Sequence, residues 1–439
     1  MTSPLAGLTH ARVLRVAGPI VLSNATVPLL GAVDTAVIGQ LGQAAPLGAV
    51  GLGAVILATL YWAFGFLRMT TSGLAAQAQG AGDLPERSAT LIRAMVVGVA
   101  AGAALIVLQR ALMTGAFAIA PASAEVEGHA RDYLAIRIWG APATIALYAL
   151  TGWLVGLERT GAVLMLQVWQ NGLNVILDLW LVLGLGWGVE GVAFSTLIAE
   201  VSGLALGLWL VRDAFGAALR PALARLGDRV ALRQMFGASR DIMGRTVLLQ
   251  LSFTSFVFVG ARFGDVTLAA NQVLMQFLEI SAYALDGFAF AAEALIGQGV
   301  GARDPAGTRR AARMCLQWGF VGAAVMAAVI ALAGPALIDL MTTAPGVRAE
   351  AQAYLPWLAV SPLIGVAAWI YDGIFIGALM TEAMLRTMLV SVALYGVALL
   401  VLVPGFGNHG LWAALMVLNA VRCLTMHRAA PEVLDRAGL

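Results

Sequence analysis

The sequence predicts an all-α integral membrane protein with 12 transmembrane helices in two six-helix lobes. The first observation is composition, because 60% of the 439 residues are hydrophobic and only 11% are charged, whereas soluble domains carry about a quarter charged residues. The second is the recurrence of apolar runs of about 20 residues along the whole chain, the length at which a helix crosses a bilayer. The third is an internal repeat, which is typical of duplicated membrane transporters.

The repeat is clearest after the second apolar run. The pattern Gln-x-x-Gly-Ala-x-Asp occupies residues 77–83 and returns at 298–304, a shift of 221 positions. The same shift relates Ile38-Gly39 to Val259-Gly260, Gly156 to Gly377, and Thr160 to Thr381. Further along, the register slips by two, so that Gly191 matches Gly410. Two halves of similar plan therefore indicate one duplicated module.

Twelve membrane spans follow from the apolar runs. Spans 2, 4, 8 and 10 are longer than a bilayer requires, so we expect them to tilt or to protrude. In order, the predicted spans are 13–39, 47–79, 89–109, 129–157, 161–183, 190–212, 238–262, 268–300, 311–333, 350–380, 383–404 and 409–427.

The placement of arginine predicts that both termini are cytoplasmic. With that orientation most arginines fall in cytoplasmic segments, including the basic stretch 212–245, and the outside segments hold only Arg110, Arg131, Arg262 and Arg348. Each half then contains six helices, so a pseudo-two-fold axis along the membrane normal relates the two lobes. The predicted organisation is an N-terminal lobe at 1–212, an inter-lobe linker at 213–237, a C-terminal lobe at 238–428 and a cytoplasmic tail at 429–439.

The composition excludes several functions. The chain has no lysine, which rules out a Walker A phosphate loop and a Schiff-base cofactor. Cys315 and Cys423 lie in apolar stretches, and the four histidines have no metal-ligand spacing. Since no nucleophile, base and metal constellation stands out, we predict a protein that is not an enzyme and has no cofactor. An ion gradient or a partner must then supply the energy for any work.

Polar residues within the N-terminal spans form the first candidate site. Asp34 lies late in span 1, Asn174 and Asp178 lie one turn apart late in span 5, and Thr196 lies early in span 6, so all four have similar depth. A carboxylate in hydrocarbon is costly unless it is protonated, paired or hydrated, and two adjacent carboxylates favour retention of a proton by one of them. We interpret these residues as a cation- or proton-coupling site; the alternative is static polar contact between helices. Pro28 predicts a bend below Asp34.

The C-terminal half carries the second candidate site. Span 8 has three carboxylates at spacings of seven, which places them on one stripe, and two glutamines extend that stripe, while span 10 adds another acid. They are Glu279, Asp286, Glu293, Gln272, Gln276 and Asp372. This set predicts a path for substrate or for a second cation; the alternative is the hydrated wall of a cleft. In the first half, Glu200 is expected to pair with Arg137 or Arg68.

Several motifs together resemble the multidrug and toxic compound extrusion (MATE) family. They are VDTAVIGQLG at 33–42, LAAQAQGAGD at 74–83 and NVILD at 174–178. The segment LDGFAFAAEAL at 285–295 is similar to the DinF branch of that family. The resemblance covers about residues 10–430, with the motifs on the expected helices and in the expected order.

The resemblance implies a V-shaped pair of lobes around a central cleft. It also implies a secondary antiporter that exports small amphipathic, often cationic compounds in exchange for H⁺ or Na⁺ by alternating access. In the DinF branch the cation site is built from an Asp in helix 1, an Asn and an Asp in helix 5 and a Thr in helix 6, which match Asp34, Asn174, Asp178 and Thr196. Other branches place a cation site in the C-terminal lobe, where Asp372 is a possible match. We expect H⁺ as the coupling ion, with Na⁺ at the same four residues as the alternative, in a monomer of the bacterial inner membrane that binds no nucleic acid.

Three rival interpretations remain. A major-facilitator transporter also has two parallel six-helix repeats, but its loop between spans 2 and 3 typically carries an Asp-Arg followed by basic residues, which GAGDLPER at 80–87 fits poorly. A lipid-linked-sugar flippase should line its cleft with basic residues for pyrophosphate, whereas this sequence places acids there. A membrane-embedded enzyme or receptor would need a reactive constellation that the sequence does not show.

Overall fold

The protein is helical throughout the part of the chain that the structure describes. This structure, a computed structural model, describes residues 4–40 and 44–438, without the side chains of 27–32 and 35. Within those residues every regular element is a helix, and nine helical stretches are long and apolar enough to cross a membrane. The predicted all-α membrane class is confirmed. A bend was predicted at Pro28, whose side chain is outside the described set.

The first six predicted spans correspond to helices with two interruptions. Span 2 is divided at residues 63–65, and span 4 contains a 3₁₀ turn at Ile138–Gly140. The helices are His10–Gly39 (span 1), Ala44–Trp62 and Phe66–Gly80 (span 2), Leu84–Ile119 (span 3), Ala124–Arg137 and Ala141–Gly156 (span 4), Thr160–Asp178 continued by the π-helical Leu179–Gly184 (span 5), and Gly188–Leu210 (span 6).

The last six spans are longer than predicted, and two of them form one continuous stretch. Gly407, with φ of 56° and ψ of −131°, breaks that stretch into spans 11 and 12. The helices are Arg229–Gly260 (span 7), Asp265–Gly301 (span 8), Pro305–Met341 (span 9), Pro345–Gly377 (span 10), Thr381–Ala429 (spans 11 and 12) and the short Pro431–Gly438 after them. Span 7 begins nine residues before its predicted start at 238, because its first turns carry charged residues that a hydropathy criterion leaves out.

The recurring Gln-x-x-Gly-Ala-x-Asp pattern ends in a helix cap. Asp83 precedes span 3 and its side chain accepts a hydrogen bond from the amide of Glu86 at 3.1 Å. Asp304 precedes span 9 and accepts from the amide of Gly307 at 2.8 Å. Such a cap satisfies one of the free N–H groups at a helix start. The repeated aspartates therefore have a structural role at equivalent turns.

Backbone conformation carries the same repeat. Glu158 and Leu379, 221 positions apart, both have positive φ, at 58° and 53°. Close packing also recurs: a Cβ atom on Gly156 would press on the backbone of Ser72, and one on Gly377 would press on the backbone of Glu293. Spans 2 and 4 thus approach each other as spans 8 and 10 do. The two-residue slip in the repeat register lies in the connection between the last two spans of each half. Spans 5 and 6 are joined by a distinct turn, whereas spans 11 and 12 meet at a break within one helical stretch.

The segment between the halves is folded onto the first half. This linker segment, residues 212–228, contains a 3₁₀ turn at Arg212–Phe215 and a short helix at Leu219–Ala224. At its start, Asp213 accepts two hydrogen bonds of 2.7 Å from Arg159. At its end, Arg225 donates to Asp83 at 2.7 Å, and buried Arg93 donates to the carbonyl of Arg225 at 2.5 Å. Both ends are therefore held by charged groups.

The described chain divides into two compact units. The N-unit comprises residues 22–79 and 83–232, and the C-unit comprises residues 4–21, 80–82 and 233–438. The core of the N-unit includes Tyr133 and Ile145, and that of the C-unit includes Phe256 and Trp412, whose rings pack edge to face at 5.2 Å. The helix of span 1 belongs partly to each unit, with the change at Val21/Leu22. The lobe, linker and tail boundaries predicted from the sequence remain a prediction.

Candidate coupling site

Two carboxyl groups meet inside the N-unit. Asp34 of span 1 and Asp178 of span 5 lie within hydrogen-bonding distance of each other. Asp178 is fully buried and Asp34 is half-buried. Two neighbouring carboxylates repel each other unless they share a proton or a cation lies beside them. This contact is the central feature of the site.

Asn174 links the two acids. It lies one helical turn before Asp178 and is 1% exposed. When its amide oxygen accepts from the hydroxyl of Thr196 at 3.1 Å, its N–H groups donate to Asp34 at 3.0 Å and to Asp178 at 3.2 Å. In that orientation the amide nitrogen has acceptors and the amide oxygen has a donor. The structure thus brings all four predicted residues together.

Ser195 completes the site, and the sequence analysis did not single it out. Its hydroxyl donates to Asp178, and it also lies 2.8 Å from the carbonyl of Val192. The neighbouring Thr196 hydroxyl lies 2.9 Å from the same carbonyl. Ser195 is adjacent to Thr196 in span 6, so a search for every hydroxyl beside a candidate would have found it.

A buried ion pair borders the acids. Arg137, on span 4, donates to both carboxylate oxygens of Glu200 on span 6, at 2.7 and 3.0 Å. The predicted pairing of Glu200 with Arg137 is confirmed. Arg137 is also electrostatically coupled to Asp34, and it makes a side-chain hydrogen bond with Tyr133. A two-point guanidinium–carboxylate contact fixes orientation, so Asp34 lies near a guanidinium group whose charge Glu200 already balances.

A polar ladder along span 5 leads to the site. Gln167 donates to Asn171 at 2.9 Å, and Asn171 donates to the hydroxyl of Thr26 in span 1 at 3.0 Å. Asn171 and Asp178 are seven residues apart and so lie on one face of the helix. Spans 1 and 5 are therefore joined by polar groups at two levels, at Asn171 and at Asn174.

The repeat-related positions in the C-unit have lost their carboxylates. A shift of 221 carries Asp34 to Ser255, Asn174 to Tyr395 and Asp178 to Leu399. Ser255 and Tyr395 share a hydrogen bond of 3.0 Å between their hydroxyl groups. The contact between the equivalent spans is thus retained while its carboxyl groups are absent. Only the N-unit copy has the chemistry to take up a proton or a cation.

Asp372 is held by two arginines. Arg245 of span 7 and Arg422 of span 12 both donate to the same oxygen of Asp372, Arg422 at 2.7 Å. All three side chains are almost wholly buried, and Asp286 interacts electrostatically with Arg245. A carboxylate that already faces two guanidinium groups is a poor ligand for another cation. This arrangement disfavours the second cation site suggested for Asp372 and points to a structural role.

The remaining candidates on span 8 have unequal surroundings. Gln272, Gln276 and Glu279 are exposed along one stripe, Asp286 is half-buried, and Glu293 is 1% exposed. The stripe is therefore open to a passing molecule only in its first half. Over residues 4–40 and 44–438, no group of three or more His, Cys, Asp or Glu side chains is placed to hold a metal ion.

Comparisons with known proteins agree with this architecture. The MatE family model matches residues 19–180 and again 242–402, once in each half. The chain is 41% identical over 412 residues to DNA damage-inducible protein F of Escherichia coli (strain K12), covering 93% of this chain and 89% of that protein. It is 30% identical over 431 residues to the probable multidrug resistance protein NorM of Deinococcus radiodurans, covering 92% and 90%.

Solved structures show the same fold. The outward-facing conformation of a multidrug resistance MATE family transporter of the MOP superfamily superposes with a TM-score of 0.88 at 18% identity, covering 99% of this chain and 98% of that one. A MATE structure in the bent conformation gives a TM-score of 0.87 at 18% identity, covering 98% and 97%. Fold, repeat and relatives together define a multi-pass membrane transporter. The chain belongs to the MatE, or multidrug and toxic compound extrusion, family, as its motifs indicated.

Proposed function

We propose that this transporter exports small amphipathic, often cationic compounds in exchange for H⁺ by alternating access. The observation that carries the proposal is the contact between Asp34 and Asp178 in a buried site. A shared proton makes such a contact favourable, and its loss leaves two adjacent negative charges that repel each other. Arrival of a proton from outside then favours the state that has released substrate, and departure of the proton to the cytoplasm resets the cycle.

The orientation of Asn174 supports H⁺ over Na⁺. A hard cation such as Na⁺ is held by oxygen ligands that converge on it. When the two acids share a proton and no metal ion, the amide satisfies its neighbours with its N–H groups toward both carboxylates and its oxygen toward Thr196. The group between the acids is thus a hydrogen-bond donor. Binding of Na⁺ at the same residues, the second candidate function, requires that amide to turn over.

The exposed half of span 8 is the proposed contact for substrate. Gln272, Gln276 and Glu279 present two amides and one carboxylate on a single stripe. A carboxylate in a region of low dielectric raises the local concentration of cations. The proposed setting is the bacterial inner membrane, with the protein as a monomer. The arginine distribution supports placing both termini in the cytoplasm.

Replacement of Asp34 tests the site. Asp34→Asn keeps the size of the side chain and its contact with Asn174 but removes the ionisable group, so we expect dye efflux from reconstituted vesicles to fall to the level of empty vesicles. Asp132→Asn is the matched control, because Asp132 is an exposed aspartate of the same unit. Efflux by the Asp34→Asn protein at the parental rate would overturn the proposal.

A further inference from the structure

We propose that the C-unit binds a membrane phospholipid with a phosphate-plus-ammonium headgroup, in a two-part cavity between span 7, span 11 and the helix Pro431–Gly438. The polar part has a volume of about 290 Å³ and the second, apolar part about 230 Å³. Arg386, Ala383 and Glu432 line both parts. The two parts are therefore adjacent and share these three residues. This site is independent of the coupling ion and of the exported compound.

The polar part carries charges of both signs. Arg233, Arg386 and Arg436 line it together with the acids Asp241, Glu382 and Glu432. Arg436 donates to the carbonyls of Leu379 and Ala378, and Asp241 accepts from Thr381 and Arg240. Within residues 4–40 and 44–438, Arg233 and Arg386 make no ion pair or hydrogen bond, so their guanidinium groups are available to a phosphate. Arginine favours phosphate because its N–H groups match two oxygens at once.

The second part suits an acyl chain. Ala383, Arg386, Thr387 and Val390 follow helical spacing along one face of span 11. Across the groove lie Thr425 and Ala429 of span 12. Both threonine hydroxyls are used within their own helices, Thr387 to Met384 at 2.9 Å and Thr425 to Val421 at 2.7 Å. The groove is therefore lined mainly by carbon atoms.

The cavity lies at the level of lipid headgroups. The helix that supplies Arg233 belongs to a stretch of 35 residues, which is about 52 Å long at 1.5 Å per residue. The hydrocarbon core of a bilayer is only about 30 Å thick. The first turns of that helix, with Arg233 and Asp241, must therefore extend toward the interface. A phosphate beside Arg386, an ammonium beside Glu432 and a chain along Val390 match the order of groups in a phospholipid.

Native mass spectrometry of the delipidated full-length protein tests the proposal. Phosphatidylethanolamine should bind the parental protein more tightly than phosphatidylglycerol, which has the phosphate but no ammonium. Arg386→Gln should weaken binding of phosphatidylethanolamine about tenfold, as expected for loss of a charge-assisted contact. Arg310→Gln changes an exposed arginine at the start of span 9 that has no ion pair among the described residues, and it should leave lipid binding unchanged.

Two further arms separate the alternatives. Ala429→Leu fills the apolar groove and keeps every charge, so it should also weaken lipid binding while the melting temperature in detergent stays parental. Glycerophosphoethanolamine, which has the headgroup but no chains, should fail to compete at concentrations at which the lipid binds. Competition by that headgroup alone would show a small-anion pocket, and equal losses in Arg386→Gln and Arg310→Gln would show general surface charge; either result overturns the lipid site.

Discussion

At the scale of single residues, buried carboxyl groups in this protein lie in two different surroundings that look alike in sequence. Asp34 and Asp178 face one another and a neutral amide, which is the basis for the proposal that their charge state changes during transport. Asp372 faces Arg245 and Arg422, and we expect it to stay charged. The neighbours of a carboxylate, more than its depth, decide which function it has.

Asp372→Asn should destabilise the protein rather than uncouple it. Removing one member of a buried ion cluster leaves the remaining charges uncompensated, which typically costs about 3–5 kcal/mol. We therefore expect a large fall in melting temperature in detergent, with coupling of efflux to the ion gradient retained in whatever fraction stays folded. Asp339→Asn, at a half-exposed aspartate, is the control. A stable Asp372→Asn protein with lost coupling would instead restore Asp372 as an ion site.

Glu279 should influence which compounds are exported. It is the exposed carboxylate of the span 8 stripe, so Glu279→Gln should reduce efflux of a cationic dye about tenfold while a neutral dye of similar size is little affected. Glu125→Gln, an exposed acid at the start of span 4, should change neither. Equal loss for the two dyes would assign Glu279 a structural role.

At the scale of elements, the linker segment 212–228 acts as part of the N-unit. The hydrogen bonds from Arg159 hold the pKa of Asp213 below its ordinary value of 3.8. For Asp83, burial raises the pKa. The hydrogen bonds from Arg225 and from the Glu86 amide together lower the pKa by more than burial raises it, so the pKa of Asp83 is also depressed. Groups with depressed pKa values stabilise the fold above their unfolded pKa, and that contribution is lost as pH falls through the folded pKa. Attachment should therefore persist from neutral pH down to about pH 4.

A spin label tests that attachment. With Cys315 and Cys423 replaced by Ala and a label at position 220, mobility should be unchanged between about pH 7.5 and about pH 5, since both carboxylates stay ionised. Asp213→Asn should make the label more mobile over that whole range, whereas Asp435→Asn in the C-terminal helix should not. A parental label that is released between those pH values would show that the linker senses physiological pH.

At the scale of the whole molecule, patterns that repeat were predictable and side-chain pairings were not. The shift of 221 predicted equivalent turns, which the caps at Asp83 and Asp304 confirm. Position and resemblance together predicted the set Asp34, Asn174, Asp178 and Thr196. The pairing of Arg245 and Arg422 with Asp372 was not predicted, because counting arginines by segment says nothing about the partner of each one. Nothing in a single sequence indicates which distant acid will meet which arginine.

The same duplication predicts that the two units differ in function. Both units keep the helix contacts of the original module, but only the N-unit keeps the carboxylates, since Ser255 and Leu399 stand where Asp34 and Asp178 are in the first half. We therefore expect the N-unit to respond to the ion, while the C-unit carries the exposed stripe of span 8. We expect a single coupling site per chain.

The most direct test is efflux by the parental protein in reconstituted vesicles with each ion gradient imposed separately. In nominally Na⁺-free buffer, a pH gradient that is acid on the outer side should drive export of a cationic dye, and a Na⁺ gradient at equal pH should drive none. Export that is absent under the pH gradient and appears on addition of a Na⁺ gradient alone would contradict the account, because the acids would then act as ligands for Na⁺ rather than as carriers of a shared proton.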